Sequence, residues 1–349
     1  MNQKKKIVIL IILVSLIILS ITISSNPLLL DRGLYRIGIQ EQVCFSDTTE
    51  DHHSQDGKNF VFVGDFGINK NSLNTLNNIK SVNPEIILFT GDLGQSTFEE
   101  WVELSDILKN ENIKTVLGDA GDEIRNSENY LNHYGLKNDY YSFDYENIHF
   151  LGISTKLGDI SDDYKQLEFI KTDLKKKSHN SKIDWTIVFM HHPMYTSKNT
   201  DLEFVEKIRK ELQPIFDIYN VNFVISGHKH AYERSVPLTY NSIENNSANC
   251  IYGKYDGQIY ITVGTGGHSH SPYTEKKSWS VIQNSNDYGF LNMKLLNNGK
   301  TFYLEFVSNN GKIMDSAKIH LDSKEGWIWK MIIISQNLTN YDFPIPEDV

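Results

Sequence analysis

Residues 221–235 read VNFVISGHKHAYERS. Val221 to Ser226 is a short apolar run that stops at Gly227, the pattern of a buried strand closed by a loop. Just past the strand end stand His228 and His230. Two imidazoles this close on a loop can be aimed at one point, and neutral imidazole suits transition metals. On this stretch alone, a polar loop with solvated histidines explains the pattern equally well.

Working outward, the same unit recurs. A strand at 59–63 ends in Gly64-Asp65-Phe66-Gly67, and one at 85–90 ends in Gly91-Asp92-Leu93-Gly94. A strand at 113–117 ends in Gly118-Asp119-Ala120-Gly121-Asp122-Glu123, and one at 185–190 ends in His191-His192-Pro193. Helical patterns fill the gaps at 73–82, 97–110, 162–177 and 202–219; in the second, Trp101, Leu104 and Leu108 share a face. Residues 140–145 and 148–153 read as a hairpin about Glu146-Asn147. Alternating strands and helices predict a layered α/β fold. Beyond residue 235 the pattern turns to β, at 258–263, 289–295, 301–307 and 312–321. Asn297-Asn298-Gly299 and Asn309-Asn310-Gly311 serve as hairpin turns.

Five strand ends thus carry Asp65, Asp92, Asp119, His191 and the pair His228 and His230. Loops at one edge of a layered sheet converge. Any single Gly-Asp is adequately explained as a turn; the ordered series is not. Three carboxylates and three imidazoles without a thiol suit Mn, Fe or Zn. Six such side chains exceed one tetrahedral site and match two ions about 3.5–4 Å apart, with one carboxylate shared.

The series GDFG, GDLG, GDAGDE, MHHP and GHKHAYERS resembles the signature of the calcineurin-like metallophosphoesterases. The segments YYSFDYENIHFLGIST, WTIVFMHHPMYTS and YITVGTGG are most similar to the purple acid phosphatases. The resemblance runs from about residue 60 to residue 321. It implies an α/β, four-layer αββα sandwich of two mixed β-sheets flanked by helices, and a dinuclear centre of Fe, Mn or Zn ions. By position, Asp65 and His230 would hold the first metal, Asp92 would bridge, and Asp119, His191 and His228 would hold the second. The implied reaction is hydrolysis of a phosphoric ester, acid-phosphatase-like and on phosphomonoesters, by a metal-activated hydroxide.

Three departures stand out. Gly67 and Gln95 occupy the positions of a family histidine and tyrosine, so the first metal loses a ligand and no purple colour is expected. Asp119 replaces the usual asparagine, and Asp122 is an alternative ligand from the same loop. Ala120 replaces the histidine that assists the leaving group. His192 is the candidate replacement, with His268 and His270 as others. Loss of that acid leaves room for diesters, and the three departures together leave room for a catalytically weakened binding protein. Glu233 and Arg234 read as an ordinary surface ion pair.

The remaining chain sets the context. Lys4–Lys6 precede an uncharged run of 17 residues at 7–23. This is the pattern of a secretory signal or an uncleaved anchor, with the positive end cytoplasmic. We expect an anchor at 1–24, a linker at 25–58, the metallophosphoesterase domain at 59–322 and an extension at 323–349. The domain would lie outside the cytoplasm, membrane-anchored or, after cleavage, secreted. His52 and His53 in the linker read as solvated. Cys44 and Cys250 are the two cysteines and could pair. Asn245 and Asn337 open glycosylation triplets. A formal net charge of −10 and the absence of a basic aromatic stripe argue against nucleic acid as a partner. The expected partners are a small phosphorylated substrate and, through the N-terminal segment, a membrane. The sequence carries no signal of oligomeric state.

Overall fold

Strand β1 (Lys58–Val63) is apolar on both faces, and the two faces go to different places. Phe60 and Phe62 enter one core with Phe150, Trp185 and Phe302; Val61 and Val63 enter a second with Leu76, Ile79 and Trp101. That division sets the layers. The computed structural model describes residues 57–155, 164–240, 242–243 and 250–321. The expected anchor, all of the linker before Gly57, the extension, Cys44, His52, His53, Asn245 and Asn337 lie outside the described residues.

After β1 come α1 (Lys70–Ser81), β2 (Ile86–Phe89), α2 (Phe98–Ser105), β3 (Ile113–Thr115), α3 (Gly121–Arg125) and α4 (Ser127–His133). Then follow β4 (Tyr141–Tyr145), β5 (Ile148–Ile153), α5 (Tyr164–Ser178), β6 (Trp185–Met190), α6 (Leu202–Ile218), β7 (Phe223–Ser226) and β8 (Tyr232–Ser235). The rest is β: β9 (Leu238–Thr239), β10 (Ser242–Ile243), β11 (Ile251–Gly253), β12 (Ile259–Val263), β13 (Ser280–Asn284), β14 (Gly289–Leu296), β15 (Thr301–Ser308) and β16 (Ile313–His320). The helix expected over 97–110 is shorter, passing into a 3-10 turn at Asp106–Leu108. A capping box starts it: the Thr97 hydroxyl accepts from the Glu100 N–H, and the Glu100 carboxylate accepts from the Thr97 N–H.

Two seven-stranded mixed sheets result, ordered β11-β16-β15-β14-β1-β2-β3 and β13-β8-β12-β7-β6-β5-β4. β1, β2 and β3 run parallel in the first; β5, β6, β7 and β12 run parallel in the second. Between the sheets, Trp185 meets Phe302 edge to face at 5.0 Å and Phe60 meets Phe150 at 5.7 Å. Ile170 and Leu174 of α5 and Ile208 and Leu212 of α6 are buried with the second sheet, and the helices after β1 and β2 cover the first. The αββα expectation therefore holds, and the Asn297-Asn298-Gly299 turn sits between β14 and β15 with all three residues at positive φ.

Strands β8, β9, β10, β11 and β13 went unread. β8 is the instructive case, because its sequence, YERS, is polar and wholly buried. Arg234 is not a surface residue. It donates from Nε to Asp315 Oδ2 at 2.6 Å and from Nη2 to Asp315 Oδ1 at 2.8 Å, and Tyr232 adds a third bond to the same carboxylate. Asp315 lies on β16, so the pair ties one sheet to the other. Glu233, also buried, accepts from the Ser197 N–H, Ser280 and Gln283. Removing one member of a buried pair of this kind costs about 3–5 kcal/mol. Cys250 is disulfide-bonded.

Candidate metal centre

The loops after β1, β2, β3, β6 and β7 meet at one edge, where backbone hydrogen bonds lace them together. The Asp65 N–H donates to Gly91 O at 3.0 Å, the Phe66 N–H to Asp92 O at 2.9 Å and the Gly227 N–H to His191 O at 2.9 Å. The Gly64 N–H crosses to Val263 O of the other sheet at 3.1 Å. The glycines of these motifs make room for carboxylates. A Cβ on Gly227 would stand 2.5 Å from Asp65 Oδ2, and one on Gly118 would strike Asp92 Oδ1. Asp65, Asp92, His228 and His230 all take left-handed backbone, with φ of 63°, 55°, 68° and 40°. Each such residue costs on the order of 1–2 kcal/mol, and strain of this sort gathers at functional sites.

The side chains form two groups whose ligand atoms lie within 4.8 Å of one another: Asp65, Asp92 and His191, and Asp119, His192 and His228. His191 Nε2 is 3.4 Å from Asp92 Oδ1 and 3.3 Å from Asp119 Oδ1, so this ring touches both groups. Its Nδ1–H donates to Thr90 O at 2.8 Å, which turns Nε2 to the centre. His230 falls outside both groups but has Nε2 3.3 Å from Asp65 Oδ1. Its Nδ1 meets His268 Nδ1 at 3.2 Å. His192 stands within the second group, with Nε2 3.4 Å from Asp119 Oδ2. His270 instead stacks on Tyr288 at 3.9 Å. Asp122 turns away from the centre: it accepts from Asn126 at 2.8 Å and from the Tyr130 hydroxyl at 3.2 Å. Asp119 is thus the carboxylate of this loop that faces the imidazoles.

Charge and burial oppose each other here. Burial pushes Asp65 up, but the His230 imidazole beside it and the charges of His191 and His228 outweigh it and hold the carboxyl below its usual range. Burial raises Asp92. The imidazoles of His191, His192 and His228 beside it hold Asp119 far down. Burial works against a charged His191, yet the charges of Asp92, Asp119 and Asp65 raise it to about 10. Carboxylates that keep a proton on a fully buried imidazole make a field suited to a cation. Asp65 Oδ1 is moreover buried without a hydrogen bond, a costly state for a carboxylate oxygen. With a donor set of oxygens and imidazole nitrogens, the residues fit hard-to-borderline divalent or trivalent cations.

Gln95 stands where the first half is thin. Its Nε2 donates to Asp92 Oδ2 at 2.8 Å and lies 3.4 Å from His230 Nε2. Sequence reasoning did not find Glu123, a buried carboxyl that accepts the N–H groups of Leu93 and Gly118 and so ties the second loop to the third. Burial and the charge of Asp92 push it up to about 7.

Comparison with known proteins gives the family and the fold. The calcineurin-like phosphoesterase profile matches residues 58–232, and the profile of the C region of iron/zinc purple acid phosphatase-like proteins matches residues 257–316. A nucleotide pyrophosphatase/phosphodiesterase of Hordeum vulgare is 29% identical over 198 residues, which are 54% of this chain and 52% of that protein. Probable inactive purple acid phosphatase 27 of Arabidopsis thaliana is 28% identical over 192 residues, 53% of this chain and 31% of that one. Among solved structures, a purple acid phosphatase from yellow lupin (Lupinus luteus) seeds aligns with a TM-score of 0.68 at 23% identity, covering 78% of this chain and 55% of that one. That likeness shows the fold. The chain spans about half the length, or less, of these curated relatives.

Proposed function

The chain belongs to the calcineurin-like phosphoesterases, and on that premise we propose that it is a metal-dependent phosphoric ester hydrolase acting on small phosphomonoesters. The observation that carries the proposal is the convergence of Asp65, Asp92, Asp119, His191, His228 and His230 on one edge, with a buried Asp65 oxygen left unbonded. Asp65, Asp92 and His230 would hold one ion and Asp119, His191 and His228 the other, with Asp92 shared. Two such ions of Fe, Mn or Zn supply Lewis acidity toward phosphoryl oxygens and make water more acidic.

The protein's own part is to position these ligands and to move a proton. Thr155 Oγ1 accepts the His192 N–H at 3.0 Å and lies 3.0 Å from His192 Nδ1. With the hydroxyl hydrogen given to Nδ1, the ring proton sits on Nε2, toward Asp119. We assign His192 as donor to the leaving alkoxide. Burial lowers its imidazole to about 4, so donation as imidazolium belongs to acidic conditions. The N-terminal segment is proposed as an anchor that holds the domain outside the cytoplasm. The disulfide at Cys250 supports an oxidising compartment. Among the described residues no helix is long and apolar enough to cross a membrane.

A second reading is a weakened phosphatase-fold binding protein. It is favoured by one contact, the Gln95 amide donating to Asp92 where a ligand would otherwise stand. One experiment separates the two: measure bound metal by emission spectroscopy, then assay a chromogenic phosphomonoester and a diester with Mn, Fe and Zn. Turnover that vanishes in His228→Ala supports the enzyme. Folded protein with neither metal nor turnover overturns it. Protease protection of the domain in intact cells would overturn the extracytoplasmic placement.

A further inference from the structure

We infer that Asp201 is a positioning residue for His228, fixing the imidazole so that Nδ1 faces the cation site. The inference rests on the proposed cation site and adds to it a residue from a different loop, 27 positions away. His228 Nε2 lies 3.3 Å from Asp201 Oδ2, and His228 Nδ1 lies 3.6 Å from Asp119 Oδ2. The two ring nitrogens therefore point at different carboxylates. A neutral imidazole carries one N–H and one lone pair. A carboxylate at Nε2 draws the proton there and leaves the Nδ1 lone pair for a ligand role.

Asp201 is itself held. It precedes α6 in left-handed backbone, with φ of 57°. Its Oδ2 accepts from Lys229 Nζ at 2.6 Å. Lys229 lies between His228 and His230 in the chain, yet its side chain is buried and also donates to Thr200 Oγ1 at 2.9 Å and Thr200 O at 3.2 Å. One ammonium thus clamps residues 200 and 201 to the loop that carries both histidines. The Asp201 side chain is 51% exposed, too open to be retained there by packing alone. The clamp is what places it.

The test uses the full chain and Zn alone as probe. Nitrogen NMR of the metal-free protein should show His228 as the Nε2–H tautomer. Asp201→Ala should convert it to a mixture and weaken the ion held by His228 about 10- to 100-fold, while Asp201→Glu restores part of both. Adding Lys229→Met to Asp201→Ala removes the stranded ammonium, so that a folding defect in the single variant does not decide the matter. An unchanged tautomer in Asp201→Ala overturns the inference. So does unchanged Zn affinity when His228→Ala abolishes it. If His228→Ala leaves Zn binding intact, the cation-site reading fails instead, and the tautomer of the metal-free protein still judges Asp201.

Discussion

The two halves of the centre grow from the same kind of strand end but are furnished differently. Around Asp119, three imidazoles crowd one carboxylate, His191 at 3.3 Å, His192 at 3.4 Å and His228 at 3.6 Å. Around Asp65, His230 stands at 3.3 Å, His191 is shared with the other half, and an amide, Gln95, is placed between His230 and Asp92. Backbone does not make the difference: Asp65, Asp92, His228 and His230 are all left-handed. The difference lies in Gly67 and Gln95, two side-chain choices a few residues past the aspartates. On the proposed reading, this scaffold fixes where ligands stand, while neighbours two or three residues on would decide how firmly each ion is held. The half around Asp119 should bind first and release last.

The largest effect expected is from His191→Ala, because that ring touches both halves. Cation affinity should fall more than about 100-fold, beyond the loss of an outer-shell partner, and turnover should fall to background. If calorimetry shows one ion bound as before, the halves are independent and the comparison breaks. Next, Gln95→Tyr should strengthen the Asp65 half at least about tenfold, the scale on which single changes near a metal act. With ferric iron this variant should gain a visible absorption band that the wild type lacks; no band means that residue 95 does not reach the ion. A smaller change is expected from His268→Ala, which removes the partner of His230 Nδ1. Only the weaker ion should loosen, about tenfold, and a loss shared by both ions would contradict the assignment. The smallest effect is a pH slope. Glu123, which ties the second loop to the third, is raised from 4.5 to about 7. The folded metal-free protein therefore holds this proton more tightly than the unfolded chain does. The added stability is full below about pH 4.5 and is lost as pH rises through 7. Urea midpoints in chelator should fall over that window, and Glu123→Gln should flatten the decline.

How much was legible follows from where each signal is stored. The parallel strands could be read because both faces of each are apolar, as Phe60 and Phe62 against Val61 and Val63 show. The aspartates and histidines could be read because each follows its strand directly. His268 and Asp201 could not be assigned their contacts, because they meet His230 and His228 across 38 and 27 residues, with no local pattern to mark the meeting. Arg234 was misread for the same reason. Its partner Asp315 lies 81 residues on, and without it a charged strand looks like a surface. Asp119 and Asp122 could not be told apart in the sequence, because it is α3 that turns Asp122 toward Asn126 and Tyr130.

Sheet order also has a consequence for biosynthesis. β1 lies between β2 and β14, pairing Lys58 with Leu295. By the time residue 230 has been translated, every carboxylate and imidazole assigned to the two ions exists, yet β14, the second strand beside β1, begins only at Gly289. The emerging chain therefore carries its ligands before it has the frame that spaces them. On the proposed reading, cation capture would wait until the C-terminal hairpins have docked, and a nascent chain stopped before residue 289 would carry all six side chains without β14 beside β1.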